Sequence, residues 1–169
     1  MQPALRPLLP LLALLGSTAA LADTRIPGTT ASYKVSSSQG VNTSMAFVDE
    51  KYDTSGRTYL AVKCQAGSPQ VSLYSKNPLG RSAGPADIVL TWDGGEPYLV
   101  SGAVQRDRQT GTLGVWDAER GASSGMLGVL TGARRNVSLT VLRPGYSQLT
   151  YTFPTAGFLK AMQAIRFCR

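Results

Sequence analysis

The chain has 169 residues, a formal net charge of +7 and no histidine. That length allows one domain with a real hydrophobic core. The missing histidine removes the usual general base near neutral pH, the commonest metal ligand, and every Ser-His-Asp or Cys-His arrangement. The charge is uneven: all ten acidic residues precede Arg120, whereas Arg120 to Arg169 carries seven Lys/Arg and no acid.

Residues 1–22 read as a cleaved export signal. Arg6 gives a positive start, Leu8 to Leu15 is an apolar run broken by Pro10, Gly16-Ser17-Thr18 is a polar breaker, and Ala20-Leu21-Ala22 is an A-x-A cleavage site. The run is shorter than the roughly 20 apolar residues of a membrane-spanning helix. With no cysteine at the cut, a lipid anchor is not expected there. The predicted domain is therefore 23–169, periplasmic or secreted.

In chain order, Thr29 to Val35 predicts a first strand, Ser36 to Gly40 a loop, and Ser44 to Val48, with Met45 and Phe47, a second strand. Asp49 to Gly56 is a polar turn. Thr58 to Cys64 alternates Leu60, Val62 and Cys64 against Tyr59, Ala61 and Lys63, the pattern of a half-buried strand. After a turn at Gln65 to Pro69, Gln70 to Ser75 forms a hairpin partner. A breaker-rich loop spans Asn77 to Pro85. Asp87 to Trp92 is a strand, Asp93 to Pro97 a reversal, and Tyr98 to Ser101 the return strand. Ser101 to Thr112 is expected to be polar and exposed, and Leu113 to Trp116 a short strand.

Ser123 to Thr131 predicts a helix from the spacing of Met126, Leu127 and Leu130, with Ser123 or Ser124 as cap and Gly132 as stop. Asn136 to Leu142 alternates Val137, Leu139 and Val141 inward. Pro144-Gly145 turns the chain into a strand over Gln148 to Phe153. Thr155 is expected to cap a last helix with Phe158, Met162 and Ile165 at i, i+4 and i+7 and Leu159 beside them. The fold class is mainly β: a β-sandwich or open barrel of short antiparallel strands with a C-terminal helix and a short internal one.

The chemistry-bearing motifs are sparse. Gly121-Ala122-Ser123-Ser124-Gly125 matches G-x-S-x-G, but the polar Asp117-Ala118-Glu119-Arg120 precedes it and no histidine exists to activate it, so helix capping is the better account of the two serines. Asp49, Glu50 and Asp53 lack the spacing of an EF-hand loop and read as a solvated turn. Ser36 to Ser38 lie near Lys34, but not in S-x-x-K order. Asn42-Thr43-Ser44 and Asn136-Val137-Ser138 are glycosylation sequons of a kind common by chance. A hydrolase using carboxylates alone would need two acids in one cleft, drawn from Asp49, Glu50, Asp53, Asp87, Asp93, Glu96, Asp117 and Glu119. Trp92, Tyr98 and Trp116 are the candidate aromatic platform. No catalytic, cofactor-binding or metal-ligating set emerges, and the chain reads as non-enzymatic.

Arg134 and Arg135, with Arg143 at the far end of the same strand, are the candidate contact for an anionic partner: an envelope polymer, lipid headgroups or an acidic protein. Edge-strand arginines that discourage aggregation are the plain alternative. Nucleic acid is disfavoured, because no nucleic-acid motif is present. Two cysteines in an exported chain, Cys64 and Cys168, are most simply one disulfide; free thiols and an intermolecular bridge are the alternatives. The closed loop would contribute on the order of 4–5 kcal/mol in the chain-entropy model.

Several pieces fall in a recognisable order. Leu60-Ala61-Val62-Lys63-Cys64 is followed by Val71, Leu73 and Tyr74, then by Ile88 to Trp92 running into Asp93-Gly94-Gly95. Val115-Trp116 leads to the apolar segment Met126 to Leu130, the strand Val137 to Val141, and the ending Tyr151-x-Phe153, Gly157, Ala161, Ile165, Cys168. Over about Thr58 to Cys168 this resembles the periplasmic accessory proteins of bacterial type VI secretion, the VasI-type family. The resemblance implies a periplasmic β-rich domain with Cys64 and Cys168 paired, no established enzymatic activity, and a partner in the envelope or the secretion apparatus.

Overall fold

The computed structural model describes residues 23–143 and 146–168; the signal and cleavage-site reading over 1–22, the Pro144-Gly145 turn and Arg169 lie outside the described residues. The strands are β1 Thr24–Arg25, β2 Ala31–Lys34, β3 Ser37–Ser38, β4 Val41–Asn42, β5 Met45–Asp49, β6 Tyr59–Gln65, β7 Ser68–Tyr74, β8 Gly84–Trp92, β9 Tyr98–Gln105, β10 Val115–Ala118, β11 Asn136–Val141 and β12 Leu149–Pro154. The helices are α1 Arg120–Gly132 and α2 Phe158–Ala164. Ten strands form one antiparallel sheet in the order β1-β2-β5-β6-β7-β10-β9-β8-β11-β12, and β3 and β4 make a separate small hairpin.

Register decides what the sheet buries. Val48, Leu60, Leu73, Trp116 and Val104 lie opposite one another on successive strands. Val100, Ile88 and Val141 do the same, as do Leu90, Leu139 and Tyr151. All of these are buried. Because side chains alternate faces with a period of two, each strand is locked into this register by its apolar set, and each buried Val or Leu contributes roughly 1.5–3 kcal/mol.

The sheet curls until its late edge meets an early turn. The Lys51 N–H donates to the Thr152 carbonyl at 2.8 Å. The Glu50 carboxylate accepts the N–H of Tyr52 at 2.7 Å and that of Thr152 at 3.1 Å. The architecture is thus an open barrel. Met126 and Leu130 of α1 cover β7 and β9, while Phe158, Ala161 and Met162 of α2 cover β2 and β5, and the two helices touch. Among the described residues no helix is long and apolar enough to cross a membrane.

The mainly β architecture matches expectation; several local features differ. Thr24–Arg25 adds a short strand ahead of the predicted first one and pairs with β2, and the Ser36–Gly40 loop contains half of the β3–β4 hairpin. The polar stretch from Ser101 is not a loop: β9 continues to Gln105 because Gly102 and Val104 face inward. A Cβ at Gly102 would lie 2.3 Å from the Trp116 ring, so only glycine permits that close approach. Ser123 caps nothing. α1 begins at Arg120, and the buried Ser123 hydroxyl accepts the Val71 N–H at 3.3 Å and donates to the Ala118 carbonyl at 3.4 Å, tying helix to sheet. Thr155 does not cap α2 with its side chain; its hydroxyl donates to the Ala133 carbonyl at the end of α1. Leu159 points away from the buried stripe and is 52 % exposed, whereas Ala161 takes the inner position.

Cys64 and Cys168 form a disulfide with Cα atoms 5.2 Å apart, joining β6 to the turn after α2. Such a bond belongs to an oxidising compartment. Replacing both cysteines (Cys64→Ser with Cys168→Ser) is expected to cost about 2–5 kcal/mol, read as a lower denaturation midpoint with the far-ultraviolet dichroism retained; an unchanged midpoint would contradict the bridge's structural role. Glu50→Ala strands two N–H groups at the seam. It should cost about 2–3 kcal/mol, and a loss under 0.5 kcal/mol in urea unfolding would show that the seam closes without the carboxylate.

Candidate functional site

The positions that alternate with the buried ones project outward, and β5, β6 and β7 each place one aromatic side chain among them. Phe47 meets Tyr59 edge-on at 5.9 Å between centroids, and Tyr59 stacks on Tyr74 at 4.7 Å with the ring planes 12° apart. Each such pair contributes about 0.5–1.5 kcal/mol beyond area burial. This aromatic ladder floors a groove of about 680 Å³ walled on one side by the N-terminal Asp23 and on the other by the loop after β9. That loop is held by Asp107, whose carboxylate accepts the N–H groups of Gln109 at 2.7 Å and Thr110 at 3.2 Å. Four acids (Asp23, Asp49, Asp107, Asp117) and four bases (Lys34, Lys63, Arg106, Arg108) line the groove, so it is close to neutral but densely charged.

Burial, followed by the neighbouring Tyr74 and the groove's acids, pushes the Tyr59 hydroxyl up to about 12, and burial with Asp117 and Asp107 raises Tyr74 as well. Both phenols therefore remain hydrogen-bond donors at physiological pH. Asp49 and Asp117 share this groove but not a reaction centre. Asp49 is paired with Arg25, and Asp117 accepts the Ser72 hydroxyl at 2.5 Å and the Gln105 amide at 2.8 Å. They stand on β5 and β10 with β6 and β7 between them. At about 4.8 Å per strand that separation is about 14 Å, against the ~5–9.5 Å between the two carboxylates of a glycosidase.

The turn after β5 is not a solvated one. Glu50 and Asp53 are both buried, Glu50 at the seam described above and Asp53 against Lys76, whose ammonium lies 2.8 Å from Oδ1. Burial alone would push the Asp53 carboxyl up; Lys76 and the Ser55 hydroxyl and N–H overcome it and hold the group well below the usual carboxylate range. Among the described residues no three His, Cys, Asp or Glu side chains converge as a metal site would require.

The remaining predicted residues scatter. Trp116 is fully buried, its indole N–H donating to the Ala86 carbonyl at 2.8 Å, and Tyr98 is exposed on β9. Trp92 is half-buried at the end of β8, where it lines two small clefts with Arg135, and one of them includes Arg134. Asp93 accepts the N–H groups of Arg134 at 2.6 Å, Arg135 at 2.9 Å and Asn136 at 3.3 Å, and these bonds, the Arg134 one first, lower its pKa. Arg143 lies at the opposite end of β11, where its guanidinium donates to the carbonyls of Ser147 and Pro78. The Asn42 amide donates to the Ile165 carbonyl at 3.0 Å, so that sequon's side chain is engaged within the fold. The aromatic floor itself escaped sequence reasoning. Part of the signal is the alternation Tyr59, Ala61, Lys63, but one strand alone does not show that its outward aromatic meets others from β5 and β7.

The fold and these surfaces define a class: an antiparallel open barrel covered by two helices and held by one disulfide, with a groove on its outer face. No family model matches the chain, and no curated protein matches it. Among solved structures, the crystal structure of invasion associated protein B from Bartonella henselae is similar, with a TM-score of 0.54 and 14% sequence identity, covering 82% of this chain and 91% of that one. At that identity the likeness is one of fold.

Because the folded Asp53 carboxyl titrates below its ordinary value of 3.8, its contribution to stability is complete above that pH and is lost as the pH falls toward the folded value. Asp53→Asn should therefore lower stability at neutral pH and flatten the acid side of the stability profile. If the variant loses stability below about pH 4 as steeply as the parent, another group is responsible.

Proposed function

We propose that the chain is an exported, non-enzymatic binding module that holds an extended polypeptide segment of an envelope partner in the groove floored by Phe47, Tyr59 and Tyr74. The observation that carries this is the self-stacked aromatic floor set between equal numbers of cations and anions. A sugar platform needs an open ring face. Here the Tyr59 and Tyr74 faces lie against each other, so the floor offers ring edges, phenol hydroxyls and fixed charges. Those groups match a polypeptide, which brings amides, apolar side chains and charges of both signs at short intervals. A small-molecule enzyme site would instead enclose its reacting groups, with only a few convergent polar ones.

Three further points support the reading. The chain has no histidine, and Asp49, Glu50, Asp53, Asp93, Asp107 and Asp117 are each engaged by a cation, a hydroxyl, a side-chain amide or a backbone N–H. The signal-like residues 1–22 and the disulfide agree with export. A neighbour in fold whose name associates it with invasion fits a protein that works by contact. A place beside a type VI secretion apparatus is the finer version of this proposal, carried by the VasI-type resemblance over about Thr58 to Cys168.

A photo-crosslinking residue placed at Tyr59 in cells is expected to capture a defined envelope protein, and Lys63→Glu with Arg108→Glu at the groove edge to abolish the capture while shifting stability by no more than about 0.5 kcal/mol per substitution. Identical products from a probe at the exposed Leu99, or capture that survives the charge reversals, would remove the groove from the function.

A further inference from the structure

A second surface, sharing no lining residue with the first, lies between the two helices. α1 and α2 touch, and the valley between them is a groove of about 570 Å³. α1 brings Leu127, Gly128 and Thr131 to it, three positions of one helical stripe, and α2 brings Leu159 and Met162. Phe167, just past α2, adds a further apolar side chain. Leu159 stands 52 % exposed here. The Thr131 hydroxyl is bonded to its own helix, donating to the carbonyls of Leu127 at 2.9 Å and Gly128 at 3.2 Å, so it adds little polarity to the wall.

Gly128 is the least expected of these residues. Glycine is among the least favourable residues in a helix interior, yet a Cβ at this position would meet nothing within 4 Å. Packing inside the fold therefore does not require glycine there. Its effect is on the outside: it lowers the α1 wall and lets another backbone come close.

Charge selects among the possible occupants. Arg166 lies in a left-handed turn (φ 49°) on the way to the disulfide, and among the described residues it is the one charged group lining the groove. Neither helix carries an acid; Glu119, the last acid in the chain, precedes α1. Among the described residues neither Arg166 nor Lys160, which follows Leu159 on α2, makes an ion pair; those present join Arg25 to Asp49 and Lys76 to Asp53. A second copy of this chain would set these cations against their own kind. An acyl chain needs walls on most sides to leave water, and here Ser124, Gly128, Leu159 and Gln163 on the lining are all exposed. An open valley with an apolar lining, one low wall and a cation fits a third helix laid between the first two.

We propose that this groove docks an acidic amphipathic helix of a protein partner, with its apolar stripe between Leu127 and Leu159, its backbone against Gly128 and a carboxylate on Arg166.

The probe is a stapled helical peptide of about 15 residues, with Leu at i, i+3, i+4 and i+7 and Glu at the other positions; its twin has Lys for every Glu. Titrated into the full disulfide-bonded protein and followed by calorimetry, the Glu peptide should bind saturably with a Kd below about 1 mM, and the Lys twin about tenfold more weakly or worse. Gly128→Leu fills the groove from the outside and should weaken the Glu peptide about tenfold or more. Arg166→Gln should weaken it too and reduce its sensitivity to salt. Gly128→Ala should raise the denaturation midpoint; a lower midpoint would mean that the fold itself needs this glycine. Should Gly128→Leu fail to fold, Leu159→Glu at the exposed rim carries the same expectation for binding. No saturable binding of the Glu peptide, equal affinity for the twin, or unchanged binding in the groove variants overturns the assignment. So does binding of palmitate or phosphatidylglycerol vesicles, or dimerisation of the protein, that Gly128→Leu abolishes while no peptide binds. None of these outcomes bears on capture at Tyr59.

Discussion

One carboxylate closes the barrel. Glu50 sits where the rolled sheet must join strands far apart in sequence, and its two oxygens take one N–H from its own turn and one from β12. A ten-stranded twisted sheet has two edges, and an unpaired edge is a template for wrong pairing. Here the late edge is answered by a turn instead of a strand, so a side chain has to supply acceptors that a ladder would otherwise provide. Burying a carboxylate is costly unless it is paired and hydrogen-bonded. The next carboxylate along, Asp53, is compensated on one side only: its Oδ1 meets the Lys76 ammonium and the Ser55 hydroxyl and N–H, while its buried Oδ2 has no hydrogen-bond partner among the described residues. Glu50 thus fixes where the curled sheet meets itself, while the apolar alternation of each strand decides which face is inside.

The disulfide acts on a different quantity. It joins residues 104 apart in sequence, and its main effect is to limit the freedom of the unfolded chain. α2 is only seven residues long, too short to be stable alone in water. It is held by burying Phe158, Ala161 and Met162 against β2 and β5 and by the bond that follows it. Seam and disulfide therefore secure opposite ends of the same problem: the first closes the sheet, and the second keeps a short helix over what the sheet leaves open.

Much of this was legible in the sequence, for a definite reason. Strands with one polar and one apolar face, such as β6 and β11, announce both their existence and their inward residues. The cysteines announced their pairing because nothing else was available to pair with. What escaped notice were positions where the two faces do not differ in the usual way. Around β5 the larger side chains, Met45 and Phe47, point outward, and the small Ala46 and Val48 point in. In β9 the inward set includes Gly102, which looks like a loop residue until the Trp116 ring above it is seen. The aromatic ladder draws Phe47, Tyr59 and Tyr74 from three strands, so no single window of sequence contains it. The burial of Glu50 and Asp53 was equally invisible, since their partners come from β12 and from Lys76 just past β7.

The basic last third shows how folding redistributes a pattern that looks uniform along the chain. Its described cations do not gather on one face: Arg120 opens α1, Lys160 and Arg166 lie on or just after α2, and Arg143 is engaged with two carbonyls at the far end of β11. Arg134 and Arg135 alone stay together, and the cation that joins them, Lys51, comes from the half of the chain with no net basic excess. The sequence pointed to Arg134 and Arg135 but could not supply Lys51, and Arg143, grouped with them along the chain, lies at the opposite end of β11. The turn at Asp93 binds the backbone of the two arginines and leaves their side chains outside the bond. An acid that neutralised the guanidinium groups directly would have produced an ordinary surface ion pair of little energetic weight. Directed at the amides instead, the same carboxylate orders the backbone of the segment, and its charge acts on Arg135 only at longer range.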